Sequence, residues 1–150
     1  VVDIHEDIVS EYPETDGGVR NWGDIEFALD YIESGSFGEA PEGIHEKAFH
    51  LHRLLVANHP FVDANKRTAL NTTSVFYFLN GYRLTYDHEI RSFLKQFAVD
   101  EAAVDEPAAI EYLQSHTEQL DLAAEIENWR EDLVQFGVDE LTGSQDDPND

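Results

Sequence analysis

Five residues within nine positions could act together on an anionic substrate: His59, Asp63, Asn65, Lys66 and Arg67. An imidazole can take a proton near neutral pH, so His59 is a candidate general base. Asp63 offers one carboxylate, which suits Mg²⁺ that is also held by phosphate oxygens and water. Asn65, Lys66 and Arg67 offer donors and charge for a phosphate. A helix starting beside them would add its unpaired N–H groups and the positive end of its dipole. Taken singly, each residue has a commoner structural use as a cap or a solvated charge. Their joint occurrence is what points to proton removal and phosphate handling.

The flanking pattern supplies the elements that must hold this cluster. Ile44, Ala48, Leu51, Leu54 and Leu55 share one face of a helix over 44–58. Pro60 lacks an N–H and turns His59 away from helical backbone, so that helix should end near Asn58 or His59. A second helix should start near Ala64 to Lys66 and run to Asn80, with Asn80-Gly81 as its stop. Its run Val75-Phe76-Tyr77-Phe78-Leu79 reads as the central, buried helix. Further helices are expected over 4–12, after Asn21 or Asp24, after Asp87, after Asp105 with Pro107, and through Leu122, Ile126, Trp129 and Leu133. Ser34 to Gly43 reads as a loop or short hairpin. Strand signals are few, so the fold class is all-α: a compact helical bundle with a central buried helix and a small loop or β-hairpin flap. One domain is expected over 1–142, with a helical extension from about 101 and a disordered acidic tail over 143–150.

Composition narrows the functions. The net charge is −23, from 32 acidic and 9 basic residues. The acids are spread along the chain, which suggests a surface adapted to high salt, where self-repulsion is screened. So few cations argue against direct DNA binding. With no Cys there is no thiolate chemistry and no Cys-built zinc site. No apolar run is long enough to cross a membrane and Val1 to Glu6 do not resemble a signal peptide, so a cytoplasmic protein is expected. No Met occurs even at position 1, so the native start is expected upstream. His45, His50, His52 and His59 raise the idea of a zinc hydrolase. Spacing of five puts His45 and His50 about 140° apart on a helix, so a shared metal is not expected and surface histidines are.

The segment His59-Pro60-Phe61-Val62-Asp63-Ala64-Asn65-Lys66-Arg67 resembles the Fic/Doc (Fido) signature H-x-F-x-[D/E]-[A/G]-N-[K/G]-R at every fixed position. Gly18-Val19-Arg20, Thr68 to Asn71 and Leu79 to Tyr82 are similar to the Doc (death-on-curing) branch, and the resemblance spans about residues 4 to 100. It implies a Fido-type bundle. It also implies His59 as the base for a target hydroxyl, Asp63 as the Mg²⁺ ligand, and Asn65, Lys66 and Arg67 as binders of ATP phosphates. Phe61 and Ala64 would be structural. Ser36, Phe37 and Gly38 match in place the flap that docks the target by strand addition.

AMP-transferring members usually carry Gly where this chain has Lys66 and a second Arg where it has Leu70; Doc has Lys and no such Arg. The resemblance therefore implies a Mg²⁺-dependent toxin moving the γ-phosphate of ATP to a Ser or Thr of a protein, a translation elongation factor by analogy. AMP transfer and a non-catalytic interaction module are the alternatives. The self-inhibitory motif [S/T]-x-x-x-E-[G/N] has no complete copy, so a cognate antitoxin chain is expected to supply inhibition.

Overall fold

The computed structural model describes residues 1–35, 39–85, 87–99 and 103–143. It is all-α, apart from one small sheet. The elements are α1 (Val2–Glu11), α2 (Trp22–Ser34), α3 (Gly43–Asn58), α4 (Asn65–Leu79), β1 (Tyr82–Leu84), α5 (His88–Val99), α6 (Glu106–Ser115), β2 (Thr117–Gln119) and α7 (Leu122–Gly143). Backbone clustering divides the chain into two compact units, Val1–Glu118 and a second beginning at Gln119. The expected flap residues Ser36, Phe37 and Gly38, and the tail beyond Gly143, lie outside the described residues.

Helix α3 is the centre of the first unit. It buries Ala48, Phe49, Leu51, Leu54, Leu55 and Val56 together with His50 and His52. Neighbours α2, α4, α5 and α6 all pack on it. Burying a side chain such as Leu55, 1% exposed, stabilises by about 1.5–3 kcal/mol.

The helix that carries the run Val75 to Leu79 is therefore not the central one, contrary to the sequence expectation. Helix α4 turns Thr68, Ala69, Thr72, Thr73 and Tyr77 inward. Its Val75, Phe78 and Leu79 are 40%, 40% and 75% exposed. Small residues at the contact let α4 lie close to α3; of its bulky residues Tyr77 turns in, while Val75, Phe78 and Leu79 point out. The histidines of α3 are likewise not surface residues. His50 and His52 are 6% and 2% exposed. Each polar group that α3 buries needs a partner; His45 Nδ1 lies 3.0 Å from the Tyr77 hydroxyl, and His50 Nε2 lies 3.1 Å from Glu106 Oε1.

The predicted helix boundaries agree well with the capping observed. Asn21 Oδ1 accepts from Gly23 N–H, Asp87 Oδ1 from Ile90 N–H and Asp105 Oδ1 from Ala108 N–H. Asp24 lies inside the first turn of α2 instead of capping it. The two short strands were not expected; they pair with each other, and Thr85 N–H donates to His116 O at 2.7 Å. The second unit is α7, capped by Asp121. Its Ile126, Trp129, Leu133 and Phe136 are each more than half exposed. No helix is long and apolar enough to cross a membrane, among the described residues.

Candidate active site

The loop between α3 and α4 is bracketed by two residues in left-handed backbone: His59 (φ 48) and Ala64 (φ 60). No other described residue except glycine has positive φ. Such backbone costs of order 1–3 kcal/mol per residue and survives only where surrounding contacts enforce it. Here they come from three sides.

The first is the segment Gly18-Val19-Arg20. Val19 bridges Phe61 in antiparallel fashion. Arg20 N–H donates to Pro60 O at 2.7 Å and Val62 N–H donates to Gly18 O at 3.0 Å. The Arg20 guanidinium donates to His59 O at 2.6 Å, placing a cation at the negative end of α3. The second is the Asn65 side chain. It accepts from Phe61 N–H at 2.9 Å and donates to Phe61 O at 3.0 Å. The third is His5 of α1, 2% exposed. Its ring stacks on Phe61 at 3.9 Å between centroids and 9° between planes. His5 Nε2 donates to Asp63 O at 3.0 Å, so that nitrogen carries the proton.

Phe61 is thus the buried anchor that the sequence suggested, 1% exposed. The Asn65 amide, expected at the phosphates, is committed to the Phe61 backbone; what it leaves for an anion is its N–H at the helix start. His5 was missed, although it lies three residues before the apolar Ile8 on the buried side of α1. Arg20 is resolved here as the residue that ties Gly18-Val19-Arg20 to His59.

Together these contacts shape a cleft of about 780 Å³, ample for a nucleotide. His59, Asp63, Ala64, Asn65, Lys66 and Arg67 all line it. The structure therefore brings together every predicted site residue except Phe61, which lies beneath, and the flap, which is outside the described residues. Helix α4 opens into this cleft with no side-chain cap and no acid in its first turn. Arg67 lies over the Tyr12 ring, its guanidinium carbon 4.2 Å from the centroid. Asp63 Oδ1 accepts from Ala64 N–H at 2.6 Å, which fixes the carboxylate and leaves Oδ2 for another partner. One such carboxylate lining the cleft fits Mg²⁺, which keeps most of its shell as water and other oxygen ligands.

A family model described as the Fic/DOC family matches residues 1–77. The chain belongs to that family. No curated protein matches the chain. The match runs from α1 into α4 and so contains the loop and all three of its supports. Members of the Fic/DOC family generally use ATP and transfer a nucleotide-derived group to proteins.

Other walls of the cleft come from α5, through Arg91, Leu94 and Lys95, and from His52 of α3. The sequence reading did not assign them. His52 is 2% exposed. Burial pushes His52 down to about 4, against a smaller upward pull from the carbonyls of Leu94 and Ala69, so the ring is neutral at neutral pH. Outside the cleft, Glu46, His50 and Glu106 bring ligand atoms within 4.8 Å of one another. Arg53 donates to His50 Nδ1 at 3.0 Å. The Nε2 proton must then face Glu106, so the group is a hydrogen-bonded clasp between α3 and α6 and a poor metal site.

Proposed function

We propose that this chain is a Doc-like toxin that transfers the γ-phosphate of ATP to a Ser or Thr hydroxyl of a target protein. The single observation carrying the reading is that Lys66 and Leu70 both line the cleft at the uncapped start of α4. A lysine there adds charge where glycine would leave only backbone, and Leu70 leaves that wall without a second arginine.

In this reading His59 takes the hydroxyl proton as the oxygen attacks the γ-phosphorus. The bond from that phosphorus to the bridging oxygen breaks, and ADP leaves with the electron pair. Lys66, Arg67 and the first N–H groups of α4 hold the phosphate oxygens as charge redistributes. Asp63 would hold Mg²⁺, which when bound supplies further neutralisation of phosphate charge. The Arg20 contact and the left-handed backbone at His59 keep the base at the rim. The target is a translation factor by analogy, and a separate antitoxin chain supplies inhibition. The acidic surface belongs to a protein working in high salt; unfolding on dilution into low salt is expected.

Incubation with ATP labelled in the α- or γ-phosphate, Mg²⁺ and candidate target proteins tests this. The γ-label should reach a protein hydroxyl, and His59→Ala should cut the rate by about 10²–10⁴. Transfer of the α-label would instead establish AMP transfer, and full activity of His59→Ala would refute the base.

A further inference from the structure

Of the nine basic residues in the chain, four line this one cleft: Lys66 and Arg67 on α4, Arg91 and Lys95 on α5. Among the described residues, the acids that do so are Glu14 and Asp63. The wall therefore carries four positive and two negative charges in a protein whose net charge is −23. A polyanion approaching such a protein is repelled everywhere except where local charge reverses the field. The α4 start and its two cations can neutralise one phosphate group. A second pair of cations, i and i+4, stands on a different helix in the same wall.

We infer that α5 supplies a second phosphate-binding wall. Arg91 and Lys95 hold the phosphates that the α4 start does not, so the cleft selects polyphosphates, such as a nucleoside triphosphate, over monophosphates. This rests on the proposed site for its location and deepens it by assigning the substrate length. It depends on where Arg91 and Lys95 stand in the wall and not on their being unpaired.

The test is calorimetric titration of inorganic tripolyphosphate, ATP and AMP at fixed ionic strength. Three proteins are compared: wild type, Arg91→Gln/Lys95→Gln, and Arg83→Gln/Arg130→Gln. The last pair lies outside the cleft lining and removes the same formal charge, so it controls for the overall field. The α5 double variant should lose about tenfold in affinity for tripolyphosphate and ATP, about 1.4 kcal/mol, and less than about twofold for AMP. The control should change each by less than about twofold. Equal losses for all three ligands, equal losses in the control, or no tripolyphosphate binding by wild type would overturn the inference. If wild type shows the expected binding pattern but transfers no label, the transferase reading fails and the second wall stands. If it transfers label and the α5 variant binds normally, the second wall fails alone.

Discussion

Two helix starts in this molecule follow opposite rules. Helix α6 begins at Asp105, whose carboxylate takes the Ala108 N–H, with Glu106 and Pro107 in the first turn. Helix α4 begins at Ala64, which caps nothing, and its first turn holds Lys66 and Arg67 with no acid. Among the described residues, the six other helices each carry an acid in the first turn: Asp3, Asp24, Glu46, Glu89, Glu106 and Glu125. Anions stabilise the positive end of a helix dipole and cations oppose it. In a chain with 32 acids, leaving only α4 without one is the departure that matters. Helix α6 satisfies itself; in the proposed reading α4 is completed when an anion arrives.

The largest test of that contrast is to make α4 begin like the others. Lys66→Glu should leave stability within about 1 kcal/mol of wild type, since an acid is welcome at a helix start. Label transfer should nevertheless fall by about 10²–10³, because a donor to the transferring phosphate is replaced by a repelling charge. Urea melts and single-turnover assays separate the two effects. Retained transfer would mean that the missing acid at α4 has no functional meaning.

A second contrast lies on α3, where two histidines meet different neighbours. His50 meets Glu106 at the start of α6. His52 lines the cleft, buried beside Thr73 of α4 and Phe97 of α5. Its folded value of about 4 is below the ordinary histidine value of 6.5 that the unfolded chain keeps. Above pH 6.5 both states are neutral and nothing is lost. As pH falls through 6.5 toward 4 the unfolded chain takes up the proton first, so stability drops, by up to about 3 kcal/mol. Chemical denaturation at pH 7.5 and 4.5 should show a smaller drop for His52→Gln than for wild type. The difference between the two proteins removes the contribution of the many surface carboxylates. Equal drops would contradict a buried, neutral His52.

Removing the α6 cap should do what losing an ordinary cap does. Asp105→Ala should cost about 1 kcal/mol in a urea melt. Binding of inorganic phosphate should be unchanged, because the cap serves only its own helix. A matching loss of phosphate affinity would mean that the two starts are not independent.

What could be read ahead of the structure was local. The end of α3, the start of α4 and the caps Asn21, Asp87 and Asp105 depend on neighbours within a few residues, and each was legible. What was not legible depends on partners far along the chain. His5 meets Asp63 across 58 positions, and Arg20 meets His59 across 39. Arg91 and Lys95 join the cleft only because α5 packs on α3. The burial ranking of α3 and α4 failed for a related reason. Apolar content measures how much a helix could bury, while small residues such as Thr68, Ala69, Thr72 and Thr73 decide which face comes close to its neighbour. The Asn65 amide shows the same limit within one motif: its type suits an anion, and its geometry gives it to Phe61.

The smallest effect concerns the backbone that makes the α4 start unusual. Ala64 holds φ 60 and ψ 25 at the N-cap position, where an L-residue costs roughly 1–2 kcal/mol. Glycine adopts this region freely but adds about 0.5–1 kcal/mol of chain entropy to the unfolded state. The two nearly cancel, so Ala64→Gly should raise stability by about 0.5 kcal/mol. This also explains why the signature that the loop resembles takes either Ala or Gly there: what the position requires is positive φ beside a crowded loop. The N–H groups of Asn65, Lys66 and Arg67 would keep their places, so phosphate affinity and transfer should stay within about twofold. A loss of more than about 1 kcal/mol would mean that Ala64 is not strained. The unsatisfied start of α4 would then need an origin other than the left-handed turn that leads into it.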